Sequence, residues 1–318
     1  MAANWMRRIA LALCVGATAM VLAACGSSSV SSALTPSRFI VFGDALSDIG
    51  QSGGKRYTVN DGSVNNWTLQ LASHYGKTIT PSSAGGLSYA WGNARVLATP
   101  DAAGGSAPPL SAQIDAFLAA NQFSSDDLVV IDGGISDLIV AMQAVLAGSM
   151  TSDAMLAAAT QTGKDLGAQV RRLVNAGAKH VLLAAAYDLS KTPWAATIDQ
   201  KDLLYKASRA LNDSLKVSIV DLGANVLYLD SEYYVNLYVN SPGSFSFSVT
   251  DKPLCTSIDP ANGIGIGTNQ VNSALCTSAT LVAGADPLRY VFADPVYLTP
   301  SAHRQLGDYA YDQLTLRW

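Results

Sequence analysis

The sequence predicts an α/β fold in which a parallel sheet is covered on both faces by helices. Short apolar runs typical of buried strands alternate with longer amphipathic segments typical of helices. The 318 residues are 49% hydrophobic and only 14% charged, which is enough apolar material for a large core in one domain. Because helices that alternate with strands connect parallel neighbours, we expect a three-layer α/β/α sandwich.

Four apolar runs are predicted to form the sheet, at residues 39–42, 128–131, 181–186 and 226–229. Apolar residues spaced three and four positions apart predict the helices between and after them. The predicted helices cover residues 66–75, about 110–118, 152–176, 199–218 and 301–316.

The amino terminus has the pattern of an export signal. Arg7 and Arg8 precede an apolar run over residues 9–22, which is shorter than the roughly 20 residues of a membrane-spanning helix. We therefore expect residues 1–24 to be a signal peptide that is removed on export.

The segment Leu22-Ala23-Ala24-Cys25 resembles a bacterial lipobox, in which the cysteine becomes the lipidated first residue. The resemblance implies a lipid anchor at Cys25, a flexible tether over residues 25–37 and one domain over residues 38–318. Gly26 after the cysteine favours the outer membrane, facing the periplasm. An ordinary signal peptide with a chance cysteine is the alternative.

Cysteine usage predicts one disulfide. Cys14 leaves with the signal peptide and Cys25 carries lipid, so Cys255 and Cys276 remain as a pair in an oxidising compartment. Two buried free thiols are the alternative.

Charge and composition exclude several classes of function. The net charge of -4 and the pI near 5.3 offer no basic field for nucleic acid. The 3 histidines do not form a ligand-spaced cluster, and no glycine-rich loop has a phosphate-binding form. We therefore predict neither a metal nor a cofactor.

The turn after the first strand has the sequence Gly43-Asp44-Ala45-Leu46-Ser47. In open α/β sheets, functional sites lie at this carboxyl end of the strands. The turn resembles the first block of the GDSL (SGNH) hydrolases, where a serine at position 45 would be the nucleophile. Ala45 has no hydroxyl with which to attack an ester.

Two further stretches resemble the blocks that form the oxyanion hole in this family. Gly92 occupies the position of the glycine whose backbone N–H binds the oxyanion, where a missing Cβ permits close approach. Ser136 stands where an asparagine amide donates a second hydrogen bond, and its shorter side chain reaches less far.

The carboxyl-terminal stretch over residues 292–303 resembles the block that supplies the general base. Asp294 matches the aspartate that orients a histidine, and the histidine itself is replaced by Tyr297. A phenol with a reference pKa near 10 is a poor proton acceptor at neutral pH. His303 matches a second histidine that often follows in this family.

The resemblance covers about residues 39–318 and is strongest to autotransporter esterases and secreted GDSL lipases. Stretches at residues 188–193 and 240–247 also match that branch. It implies the SGNH hydrolase fold with a flavodoxin-like sheet. It also implies hydrolysis of carboxylic or lipid acyl esters, and hence an acyl-ester or lipid-like small molecule as the ligand.

Three of the four residues that define the family are changed together, at Ala45, Ser136 and Tyr297. We therefore expect an inactive or strongly impaired enzyme, kept for binding or for a structural role. The alternative is an active esterase that uses Ser47 and His303. Against it, Ser47 is expected to cap a helix after the turn, and His303 to pack in the first turn of the last helix.

Overall fold

The central sheet of the computed structural model, which describes residues 33–318, consists of four parallel strands in the order β1-β2-β3-β4. These strands are β1 (Arg38–Phe42), β2 (Asp127–Ile131), β3 (His180–Ala184) and β4 (Val226–Leu229). The predicted signal peptide, Cys25 and the first part of the predicted tether lie outside the described residues.

A fifth extended segment, residues 87–91, lies along the free edge of β1. The N–H of Val41 donates to the carbonyl of Leu87 at 3.0 Å, and the N–H of Tyr89 donates back to Val41 at 2.6 Å. The bridge between Val41 and Ser88 is parallel. Because this segment follows β1 in the chain and lies outside it in space, the extended sheet has the flavodoxin-like order 2-1-3-4-5.

Eight α-helices lie within the described residues, and they surround the sheet. They are α1 (Trp67–His74), α2 (Leu110–Ala120), α3 (Ile135–Leu146), α4 (Ser152–Asn175), α5 (Pro193–Thr197), α6 (Lys201–Ser218), α7 (Ser231–Asn240) and α8 (Pro300–Arg317).

Alternate residues of each strand enter two separate hydrophobic cores. Phe39 and Val41 of β1 pack in one core together with α1 and α8. Ile40 and Phe42 pack in the other together with α2 and α4. Because successive side chains of a strand point to opposite faces, helices cover both faces of the sheet. The predicted three-layer α/β/α fold is confirmed.

The predicted helices lie close to their observed ranges, but three details differ. Helices α3, α5 and α7 were not predicted. The third strand ends at Ala184 instead of residue 186. No helix starts at Ser47, because the chain makes only one turn there. The carbonyl of Asp44 accepts the N–H groups of Ser47 and Asp48, and the Asp48 side chain then accepts from Gly50 and Gln51.

Residues 249–292 form short strands beside the main sheet. β5 (Val249–Pro253) pairs with β8 (Tyr290–Phe292), and β6 (Ile258–Asp259) pairs with β7 (Gln270–Val271). The sulfur atoms of Cys255 and Cys276 lie at bonding distance, as predicted, 1.97 Å apart. The disulfide therefore ties the β6–β7 region to the segment after β5. Among residues 33–318, no helix is both long and apolar enough to cross a bilayer.

Removing the disulfide should destabilise the domain. The bond closes a loop of 21 residues, and loop-closure entropy then gives a loss of about 3 kcal/mol for the Cys255→Ser/Cys276→Ser variant. Urea unfolding of the oxidised protein and of the variant measures the difference, with reduced wild type as the control. A loss below about 1 kcal/mol would contradict the prediction.

Candidate functional site

The turn after β1 is fully buried. Asp44 Oδ1 accepts the N–H of Leu46 at 3.0 Å, which fixes the turn locally. Ala45, the predicted nucleophile position, is only 1% exposed, and Leu46 is equally buried. In the described conformation a substrate carbonyl cannot reach position 45.

Asp44 lies beside a second buried carboxyl group, Asp132. The N–H of Asp132 donates to the carbonyl of Phe42 at 3.2 Å, so the ends of β1 and β2 are adjacent. A Cβ at Gly43 would lie 1.8 Å from Asp132 Oδ1, so only glycine leaves room for this carboxyl group.

Burial raises the pKa of Asp44 to about 6. It also raises the pKa of Asp132 well above its usual value, and the neighbouring Asp44 raises it further. Two carboxyl groups that lie side by side in a buried site do not readily lose both protons, because the two negative charges would repel each other. The pair therefore holds a proton more tightly than ordinary carboxyl groups do.

Ser136, the predicted oxyanion position, is the second residue of α3 and lies next to Asp44. Its backbone N–H faces the Asp44 carboxylate, which favours the charged form of that group. The Ser136 side chain is completely buried, and its Oγ has no hydrogen-bond partner.

Gly92, the other predicted oxyanion residue, has no free backbone donor. Its N–H donates to Asp48 Oδ2 at 2.8 Å. The ring of Tyr57 covers the same residue so closely that a Cβ on Gly92 would lie 2.0 Å from it. Asn93 Nδ2 holds the Tyr57 hydroxyl at 3.0 Å. The space that a substrate oxygen would need is therefore occupied by the protein.

The Asp294 carboxylate stabilises the turn in which it lies. Oδ1 accepts the N–H groups of Val296 at 2.8 Å and Tyr297 at 2.7 Å, while Oδ2 accepts the N–H of Ser273 at 3.0 Å and its hydroxyl. Burial raises the pKa of Asp294 to about 6. Its hydrogen bonds set the conformation of the loop that carries position 297.

Tyr297, the predicted base position, is buried within this cluster. Its ring meets that of Tyr57 edge-on, with centroids 5.3 Å apart. Burial raises the pKa of the phenol well above its usual value, and the charge of Asp44 raises it further. The Tyr297 hydroxyl has no hydrogen-bond partner. The structure thus brings Asp44, Gly92, Ser136 and Tyr297 together at the carboxyl edge of the sheet.

Ser47 and His303, the residues of the alternative reading, both bond Trp67. Trp67 Nε1 donates to Ser47 Oγ at 3.0 Å. The Trp67 N–H donates to His303 Nδ1 at 3.3 Å. Because Trp67 is the first residue of α1, His303 satisfies a free N–H at the start of that helix. Burial lowers the pKa of His303 to about 3, so the imidazole is neutral and a weak base.

Among residues 33–318, Ser136 Oγ and the Tyr297 hydroxyl have no hydrogen-bond partner. The carboxyl groups of Asp44 and Asp132 lie against each other, and hydrogen bonding between them contributes to both pKa shifts. Over residues 33–318, no group of three potential metal-binding side chains comes together. The cluster therefore offers buried acceptors and hydroxyls, without an accessible nucleophile.

Four members of the site, Asp44, Asp48, Tyr57 and Asp132, were not predicted from the sequence. Asp132 could have been found, because it directly follows β2, Asp44 lies two residues after β1, and parallel neighbours end at the same edge. Asp48 and Tyr57 lie in an irregular stretch without periodicity. Their contacts with Gly92 depend on tertiary structure, and no local signal indicates them.

Comparison with known proteins gives one distant relative. The chain is 26% identical over 312 residues to an uncharacterized protein in the trpE-trpG intergenic region of Pseudomonas putida. The match covers 89% of this chain and 49% of that protein, so the chain spans about half the length of this relative. No family model matches the chain.

The carboxyl pair should make the fold less stable as the pH rises. A folded-state pKa of about 6 for Asp44, against 3.8 unfolded, gives stability that is fully present below about pH 4 and lost through pH 6. Asp132→Asn removes a carboxyl group whose own pKa is raised by burial and by Asp44, so the loss of stability between pH 4 and 8 should become smaller by at least about 1.4 kcal/mol, the equivalent of one pKa unit. Urea midpoints across this range measure it.

Asp126→Asn is the matched control for this experiment, since Asp126 is an exposed aspartate directly before β2, at the other end of that strand from Asp132. It should leave the pH profile unchanged. Parallel profiles for Asp132→Asn and wild type would show that the two carboxyl groups do not share a proton.

Proposed function

We propose that this chain is an exported lipoprotein of the SGNH hydrolase type that does not hydrolyse esters by a catalytic triad and serves a binding or structural role. The observation that carries the proposal is position 45, where an alanine is 1% exposed in the place of a nucleophilic serine. Loss of one triad member costs on the order of a million-fold in turnover in a serine protease.

The surroundings of position 45 support the same reading. The Gly92 N–H is already bonded to Asp48, and Tyr57 covers Gly92. An oxyanion would thus have to displace internal hydrogen bonds before it could gain any stabilisation.

Tyr297, at the position of the general base, also supports the proposal. The Tyr297 phenol is buried and has a raised pKa, so it has little tendency to lose its proton. Asp294, which would orient an imidazole, instead holds the turn through its own hydrogen bonds. The fold keeps these residues as packing and turn elements.

A binding role is supported by a cavity beside the site. A cavity of about 530 Å³ lies between α2 and the edge segment 87–91, and Leu87, Tyr89 and Trp91 supply its apolar wall. Small-molecule sites commonly have volumes of roughly 300–1,000 Å³ and mostly apolar linings. An acyl-ester or lipid-like small molecule suits such a wall.

An active esterase that uses Ser47 and His303 is supported less well. Both side chains are almost wholly buried, and each already has a partner in Trp67. A substrate would have to separate α1 from α8 to reach either residue. Export and the anchor at Cys25 remain part of the proposal on the sequence pattern alone.

The purified protein should neither turn over chromogenic short-chain or medium-chain acyl esters nor react with a fluorophosphonate probe, because no accessible serine is activated. Saturable binding of a fluorescent acyl ligand, weakened by Trp91→Ala, would favour the binding role over a purely structural one. Covalent labelling mapped to Ser47 or another serine would overturn the proposal.

Restoring the triad alone should not restore hydrolysis. We expect the folded variant Ala45→Ser/Ser136→Asn/Tyr297→His to stay at background, because Tyr57 still fills the space over Gly92. Adding Tyr57→Ala should raise ester turnover on the order of 100-fold above the Tyr57→Ala single variant. Thermal melts check folding in each case. Activity in the first variant without Tyr57→Ala would show that position 45 is already accessible.

A further inference from the structure

The described chain begins at the amino edge of the sheet, opposite Ala45. The N–H of Ala33 donates to the carbonyl of Trp318 at 3.1 Å. The Trp318 ring lies against His180, the first residue of β3, with centroids 4.9 Å apart. Any tether that precedes Ala33 therefore leaves the domain at this edge.

The most exposed large apolar side chains among residues 33–318 lie at the same edge. Val217 is 74% exposed, Val220 80% and Leu316 74%. Val217 and Val220 lie at the end of α6 and just after it, ahead of β4. The Arg317 guanidinium donates to the carbonyl of Gly223, which places the end of α8 beside this segment. Single exposed apolar residues are ordinary, but here the three most exposed ones of residues 33–318 share one edge, where they are free to contact an apolar surface.

Basic side chains border the apolar group. Lys179 and Arg317 are exposed, and neither is in a salt bridge within residues 33–318. The edge also has acidic residues: Asp221 is paired with Arg171 at 2.7 Å, whereas Asp126 before β2 is exposed. Apolar side chains bordered by lysine and arginine suit the interface between lipid headgroups and acyl chains.

The short tether limits how far this edge can lie from a bilayer. Cys25 and Ala33 are separated by 33 - 25 = 8 residues. A fully extended chain spans at most about 3.5 Å per residue, so 8 residues reach at most about 28 Å. A lipid at Cys25 would therefore hold the exposed apolar group within reach of the membrane surface.

We infer that the amino edge, defined by Val217, Val220 and Leu316, rests on the phospholipid surface when the chain is anchored. This inference rests on the proposed lipidation of Cys25. Its consequence is an orientation in which the carboxyl edge, with Ala45 and Tyr297, faces away from the membrane.

The test uses the lipidated full-length protein in vesicles of phosphatidylethanolamine and phosphatidylglycerol at 3:1, some with a brominated acyl chain. Bimane is attached at Val220→Cys or at the control Val64→Cys. Val64 is exposed and precedes the Asn66 cap of α1, whose amide bonds Leu46 in the turn after β1. Bimane at position 220 should be quenched at least threefold more than at position 64. Equal quenching would overturn the inference.

Vesicle flotation separates this outcome from failure of the anchor. If the wild type floats and the Cys25→Ala variant does not, anchoring holds, and the quenching ratio alone decides the orientation. If the wild type does not float, both the proposed anchor and the inferred orientation are wrong. The three serine substitutions Val217→Ser/Val220→Ser/Leu316→Ser should not prevent flotation. In that variant, bimane at Lys179→Cys should be quenched no more than bimane at Val64→Cys.

A second copy of the chain is the competing occupant of the edge. Sedimentation of the Cys25→Ala variant in solution tests it. A monomer supports contact with lipid, whereas a dimer that the three serine substitutions dissociate would assign the edge to self-association and overturn the inference.

Discussion

The parallel pairing of β1 with β2 determines the chemistry of the carboxyl edge. It brings Asp44 and Asp132 side by side at the strand ends, and Gly43 leaves the space for the second carboxyl group. Removing two such groups from water raises both pKa values, and their mutual repulsion raises that of Asp132 further. The start of α3 then depends on the same pair, because the Ser136 N–H faces Asp44. Strand pairing therefore places a polar cluster at this edge whether or not the protein is a catalyst.

The site is closed because groups of the protein make the contacts that a substrate would otherwise make. Asp48 takes the Gly92 N–H, and Tyr57 fills the space over Gly92 while packing against Tyr297. Each replacement satisfies a group or fills a volume that a ligand would otherwise occupy. Binding at position 45 must therefore oppose the internal packing, and the apolar cavity beside Trp91 is the more accessible place for a ligand.

The sequence predicted the four strands of the central sheet and five of the eight described helices because their signals are local. Runs such as residues 128–131 are buried on both faces, and the long helix after Thr151 has a side-chain cap of its own. Helix α3 was missed because Gly134 gives it no side-chain cap, and the anion at its start comes from Asp44 far away in the chain. The Tyr57 contact was missed for the same reason. Long-range partners leave no periodicity to detect.

Parallel strands give the two ends of this domain different properties, and this difference governs how the chain would act at a membrane. Asp44 and Asp132 follow the ends of β1 and β2. The exposed group of Val217, Val220 and Leu316 lies where strands begin. The described chain also starts at that second end, bonded to Trp318. The 8 residues between Cys25 and Ala33 would keep this edge within about 28 Å of a lipid at Cys25, so the apolar side chains at this edge would lie nearer the membrane than the carboxyl edge does. The anchor and the apolar edge thus favour one orientation, which leaves the carboxyl edge open to the aqueous compartment.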